Sequence, residues 1–105
     1  MELTILERIV LLGILPKEAN YVTLKIIGDL RNELSFNEKE IKEFGIREEG
    51  QNVTWNMQKA RTKKIEIGEK MYEIIVSALK KLDEAHKINA ENASLYEKFV
   101  LTIKN

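Results

Sequence analysis

Apolar residues recur at steps of four, three, four and three from Met71 through Ile75, Ala78, Leu82 and Ala85, and Tyr72, Val76 and Leu79 form a second row beside them. That spacing predicts an amphipathic helix over 69–86 with a wide apolar face to be covered by other elements. The opposite side carries Lys70, Glu73, Ser77, Lys80, Lys81 and Glu84, which water can solvate. This helix reads as a scaffold, not as a site.

Upstream, a first helix is expected over 3–14, with Leu3, Leu6, Ile9, Val10 and Gly13 near one stripe. Pro16 ends it, because the residue before a proline is pushed out of the α region. Asn20 caps a second helix running to 34, with Ile26, Ile27, Leu30 and Leu34 among its apolar positions. Gly28 inside it costs about 1 kcal/mol relative to alanine, which predicts a close crossing by another helix. In the run from Phe36 to Ile41, Asn37 and Glu40 have capping-box spacing and Phe36 and Ile41 have the spacing of a hydrophobic staple. A short third helix over 38–44 follows, with Gly45 as its C′ residue.

From 46 onward the period changes. Residues 46–48 and 53–55 read as two short strands around a turn containing Gly50, and 63–67 alternates as a third strand ended by Gly68. The polar stretch 56–62 is a loop, or alternatively a backward extension of the central helix. Near the end, Asn89 can cap a last helix, with Ile88 stapled to Ala93 and with Asn92, Leu95, Tyr96, Phe99, Val100 and Ile103 on one side, packed antiparallel to the central one. The expected fold is α+β and mostly α: about five helices in a small bundle, with an inserted β-hairpin or three-stranded mini-sheet at 46–67. A chain of 105 residues with 44% hydrophobic content suits one compact domain over 1–105.

Charge changes this picture little. The 17 basic and 17 acidic residues cancel, which removes the composition-level case for bulk binding to nucleic acid or acidic membranes. The first fifty residues carry about −3 and the remainder about +3, an asymmetry that a homo-oligomer could use. The absence of cysteine excludes disulfides, thiolate metal sites and a cysteine nucleophile, and it fits a reducing compartment such as the cytoplasm. The apolar run 9–15 is too short to span a membrane and lies in a stretch that also holds Glu2, Glu7 and Arg8.

Two blocks carry a resemblance. Leu12-Gly13-Ile14-Leu15-Pro16-Lys17-Glu18, with Leu24-Lys25 after it, and Ser94-Leu95-Tyr96-Glu97-Lys98-Phe99 resemble short uncharacterised proteins encoded by phages and prophages of low-GC bacteria. The resemblance covers most of the chain and implies no activity. It implies a small protein, in the cytoplasm of a bacterial host, that acts by binding.

Few residues suggest chemistry. His86 is the only histidine and has no evident nucleophile or second ligand, so a helix C-terminal position is its simpler role. Glu38, Glu40, Glu43, Glu48 and Glu49 lack metal-ligand spacing and suit a solvated acidic face. Tyr72, Tyr96 and Phe99 have core spacing. Trp55 with Lys59, Arg61, Lys63 and Lys64 is the one cluster that suggests a ligand: an indole to stack on a base and cations to meet phosphates. The plainer alternative is a packing tryptophan beside an exposed basic loop. These residues suggest a non-catalytic binding protein with no cofactor or metal, and the resemblance to phage-encoded proteins implies that it blocks or regulates a host process as an anti-defence or regulatory factor. It would bind a host protein or sequester an anionic, nucleotide-like ligand. A winged-helix DNA-binding regulator is the alternative, because three helices and then a hairpin is that fold's order. Against it, an acidic third helix would be repelled by phosphate, so no specific duplex DNA partner is expected.

Overall fold

The computed structural model describes residues 1–50, 52–59 and 61–101. Among these residues the chain runs β1 (Glu2–Leu3), α1 (Ile5–Ile14), α2 (Tyr21–Leu34), α3 (Glu38–Phe44), β2 (Arg47–Glu49), β3 (Asn52–Thr54), β4 (Lys63–Lys64), α4 (Glu69–Glu84) and α5 (Ala93–Tyr96), and α5 continues as a π-helical turn over Glu97–Leu101. The fold is mostly α with an α+β character, as the sequence pattern predicts, and its strands form two separate antiparallel ladders. Ile103 lies outside the described residues, as does Gln51 in the hairpin turn.

The first helix starts later than expected. Thr4 is its N-cap: the Thr4 hydroxyl accepts from the Glu7 N–H at 3.1 Å, and the Glu7 carboxylate accepts from the Thr4 N–H at 2.9 Å. This capping box stops helix propagation at Thr4 and leaves Glu2 and Leu3 extended. They pair with Lys64 and Lys63 respectively, and Met1 and Ile65 exchange backbone hydrogen bonds beyond them. Leu3 and Ile65 thereby enter the core, both fully buried. The segment expected to add a third strand to the hairpin instead pairs with the start of the chain, so β2 and β3 form a hairpin on their own. Residues 56–62 contain no helix among those described, and α4 begins at Glu69 after Gly68.

The helix ends follow local chemistry. In α3 both halves of the Asn37–Glu40 capping box form, and Gly45 takes the left-handed C′ conformation at φ 63°. At the end of α4, His86 fills the equivalent place at φ 56°, with the Lys87 N–H donating to the Leu82 carbonyl at 2.8 Å. A Schellman turn is thus closed by a histidine where glycine is usual. Asn89 and Asn92 cap the last turn reciprocally: the Asn92 side chain accepts from the Asn89 N–H, and the Asn89 side chain accepts from the Asn92 N–H.

Leu3, Leu11, Leu15, Ile27, Leu30, Leu34, Ile65, Ile75, Leu79, Leu95 and Phe99 form one buried cluster. The Tyr72 hydroxyl donates to the Phe99 carbonyl at 2.6 Å, and the Tyr96 hydroxyl donates to Asp83 at 3.3 Å. An early α4 residue thus meets a late residue of the last helix and a late one meets an early one, which makes the two antiparallel. No helix crosses closely at Gly28: a Cβ there would meet nothing within 4 Å. The small residue is not used for packing contact.

Candidate functional site

Two charged residues that composition alone would place at the surface are interior. Arg8 is 0% exposed, and its guanidinium is saturated with acceptors. Nε donates to the Leu34 carbonyl at 3.1 Å, Nη2 to the Ser35 carbonyl at 2.8 Å, and Nη1 to Glu40 Oε2 at 2.6 Å, while Cζ sits over the Phe36 ring, 4.1 Å from its centroid, as a cation–π pair. Arg8 therefore binds the carbonyl end of α2 and the first turn of α3 at once, where the helix dipole favours a cation at the former and an anion at the latter. Glu7, 3% exposed, accepts from Lys98 Nζ at 2.7 Å and from the Ser94 hydroxyl at 3.0 Å, joining α1 to the last helix. Sequence reasoning noticed both residues only as charges within an apolar run. The signal it missed is local: Thr4 and Glu7 have capping-box spacing.

Both carboxyls titrate below their ordinary value. The Arg8 guanidinium beside Glu40 holds that carboxyl down against the opposing effect of burial, with the Asn37 N–H helping. Burial pushes Glu7 up, but the hydrogen bonds from Lys98, Thr4 and Ser94 outweigh it. A carboxyl with a depressed folded-state pKa contributes stability above its unfolded pKa and loses it as pH falls through the folded value. Denaturant midpoints should therefore hold steady at and above neutral pH and fall as the pH drops through and below the ordinary carboxylate range. A Glu7→Gln, Glu40→Gln variant should be less stable at neutral pH and show a much flatter acid limb. A parent-like acid limb in that variant would show that other carboxyls drive the loss.

No buried side-chain nitrogen or oxygen among the described residues lacks a hydrogen-bond partner. No group of three or more His, Asp or Glu among them could hold a metal ion. The surface is more informative.

The predicted cluster is only partly assembled. Trp55 and Arg61 line one shallow depression of about 300 Å³ with Thr4, Ile5, Leu6, Met57 and Thr62. Lys63 turns away and pairs with Glu40 at 3.7 Å, because successive residues of a strand face opposite sides. Lys59 and Lys64 are exposed and do not line the depression. The loop is positioned from behind by Asn56, whose N–H donates to the Phe44 carbonyl at 2.7 Å and whose carbonyl and side chain accept from Lys59 and Gln58. Trp55 is half-buried against α1, while Met57 is 81% exposed and Leu6 is 37% exposed. The chain matches no family model, no curated protein and no solved structure.

A larger groove, about 840 Å³, runs between α4 and the α1–α2 connection. Among the described residues no helix is long and apolar enough to cross a membrane.

Proposed function

We propose that this is a non-catalytic binding protein that holds a partner protein on the surface formed by Leu6, Trp55, Met57 and Arg61. One observation carries the reading: a tryptophan, a methionine and an arginine, residue types enriched at interface centres, share one shallow apolar surface held in place by backbone hydrogen bonds. A methionine 81% exposed at its edge contributes little to folding and much to an adaptable contact. Arg61 borders this surface and no carboxylate among the described residues lines it, so the complementary partner surface presents an apolar side chain beside an acidic group.

The nucleotide-sequestering alternative finds less support. It requires cations to converge on a phosphate, whereas of the four proposed only Arg61 borders the depression and Lys63 is occupied by Glu40. The winged-helix alternative gains no support either, since the exposed charges of α3, Glu38 and Glu43 against Lys39 and Lys42, cancel and offer phosphate no basic face. The resemblance to phage-encoded proteins makes a host protein the natural partner, bound inside the bacterial cell to block or regulate a host process.

The test is site-specific photocrosslinking, with a photoreactive residue replacing Met57 and a control replacing Lys17, which lies away from the depression. The expected result in cells producing the protein is one discrete adduct from position 57 and none from position 17. The same adducts from both positions, or none from 57, would remove this surface from consideration.

A further inference from the structure

The exposed ridge of α4 is a charge palindrome. Counting outward from Ser77, Glu73 lies four residues before and Lys81 four after, and Lys70 lies seven before and Glu84 seven after. All five side chains are on the solvent side, and at 100° per residue they fall within an arc of about 80°. Within that arc each charge on one side of Ser77 is answered at the same distance on the other side by the opposite charge, and the exposed Lys80 lies just beside it, about 60° from Ser77.

We infer that a second copy of this chain docks on α4, antiparallel, across a two-fold axis at Ser77. In an isologous pair of helices, a residue before the axis meets the residue equally far after it on the partner. The register then places Glu73 of each copy against Lys81 of the other, and Lys70 against Glu84, making four ion pairs. The opposite-sign pattern belongs to this antiparallel two-fold alone. A parallel pairing in register would set each charge against its own kind.

Shape agrees with charge. The ridge runs between two grooves that share Glu73, Ser77 and Lys81 as a common wall. One groove is floored by Ile74, Ala78 and Leu82 and the other by Tyr72 and Val76, so a partner ridge has half-buried apolar surface on either side to cover. The smallest side chain of the ridge, Ser77, sits at the axis, where the two backbones approach most closely. The paired stretch spans about 21 Å at 1.5 Å rise per residue, which calls for the shallow crossing of about 20° seen in coiled-coil packing. Within one copy Lys70 and Glu73 are already 3.7 Å apart, but that pair is highly exposed and weak, and Glu73 can hold both lysines.

Sedimentation velocity on the full chain tests this. The expected result is a reversible monomer–dimer equilibrium with a dissociation constant of about 1–100 µM, weakened by added salt. Glu73→Lys should weaken it at least about tenfold, because two attractions become two repulsions. Lys81→Glu alone should do the same, and the Glu73→Lys, Lys81→Glu double variant should return to near the parent value, since the palindrome is restored with its inner signs exchanged. Glu91→Lys, which changes net charge as Glu73→Lys does but lies off the ridge, should leave association unaltered. A parent that stays monomeric at about 500 µM, well above the expected constant, would overturn the inference. So would single variants that dimerise like the parent, or a correctly folded double variant that is not rescued.

Discussion

Replacing Arg8 with methionine should cost about 3–5 kcal/mol, the largest effect of any single substitution considered, although methionine retains much of the volume. The cost arises from what remains. Glu40, with a side chain only 12% exposed, would keep its charge with Lys63 at 3.7 Å and the Asn37 N–H as its remaining partners. The buried Leu34 carbonyl would lose the donor that now satisfies it, worth about 1–3 kcal/mol when orphaned, while the part-buried Ser35 carbonyl can turn to water at smaller cost. Because the penalty is that of an abandoned charge, Arg8→Met with Glu40→Leu should be less damaging than the two separate losses added together. Urea denaturation followed by circular dichroism measures all three variants. An Arg8→Met variant within about 1 kcal/mol of the parent would mean that the interior is wet enough to release the guanidinium cheaply.

Leu79→Ala should cost about 2–5 kcal/mol, through lost burial and the cavity left behind. Leu79 is 0% exposed in the main cluster, whereas Leu82 is half-buried at the margin of the large groove. Leu82→Ala should therefore cost distinctly less, and an exposed control such as Lys25→Ala should fall within about 0.5 kcal/mol of the parent. Equal losses at 79 and 82 would place the buried face of α4 one position away from where the structure has it.

What could be read from the sequence was local. The α3 capping box, its glycine stop, the Asn20 cap and the apolar stripe of α4 are all specified by residues within a turn or two of one another, and all are found. What could not be read depends on distant parts of the chain. Glu2–Leu3 is too short to show a period, and its partner lies about sixty residues away. Arg8 could not be recognised as interior without knowing that the end of α2 and the start of α3 converge on it. The π-helical turn over Glu97–Leu101 likewise leaves no period of its own in the pattern.

The candidate cluster was only partly legible for the same reason. Trp55, Lys59, Arg61, Lys63 and Lys64 are close in sequence, but closeness along a chain does not decide which way side chains point. The β1–β4 pairing orients Lys63 toward Glu40, and the turn after Asn56 leaves Lys59 in solvent. Leu6 and Met57, which complete the surface, were invisible as partners because one lies on α1 and the other in a loop some fifty residues later.

The interior charges of Arg8, Glu7 and Glu40 hold the fold together, and the surface proposed to bind a partner lies apart from them. Arg61→Glu tests this division most directly, because Arg61 is exposed and reverses the charge offered to an acidic partner. Combined with the photocrosslinker at position 57, it should leave the unfolding free energy from urea titration within about 0.5 kcal/mol of the parent and abolish the adduct. An adduct that persists undiminished in the folded variant would contradict the proposed binding surface.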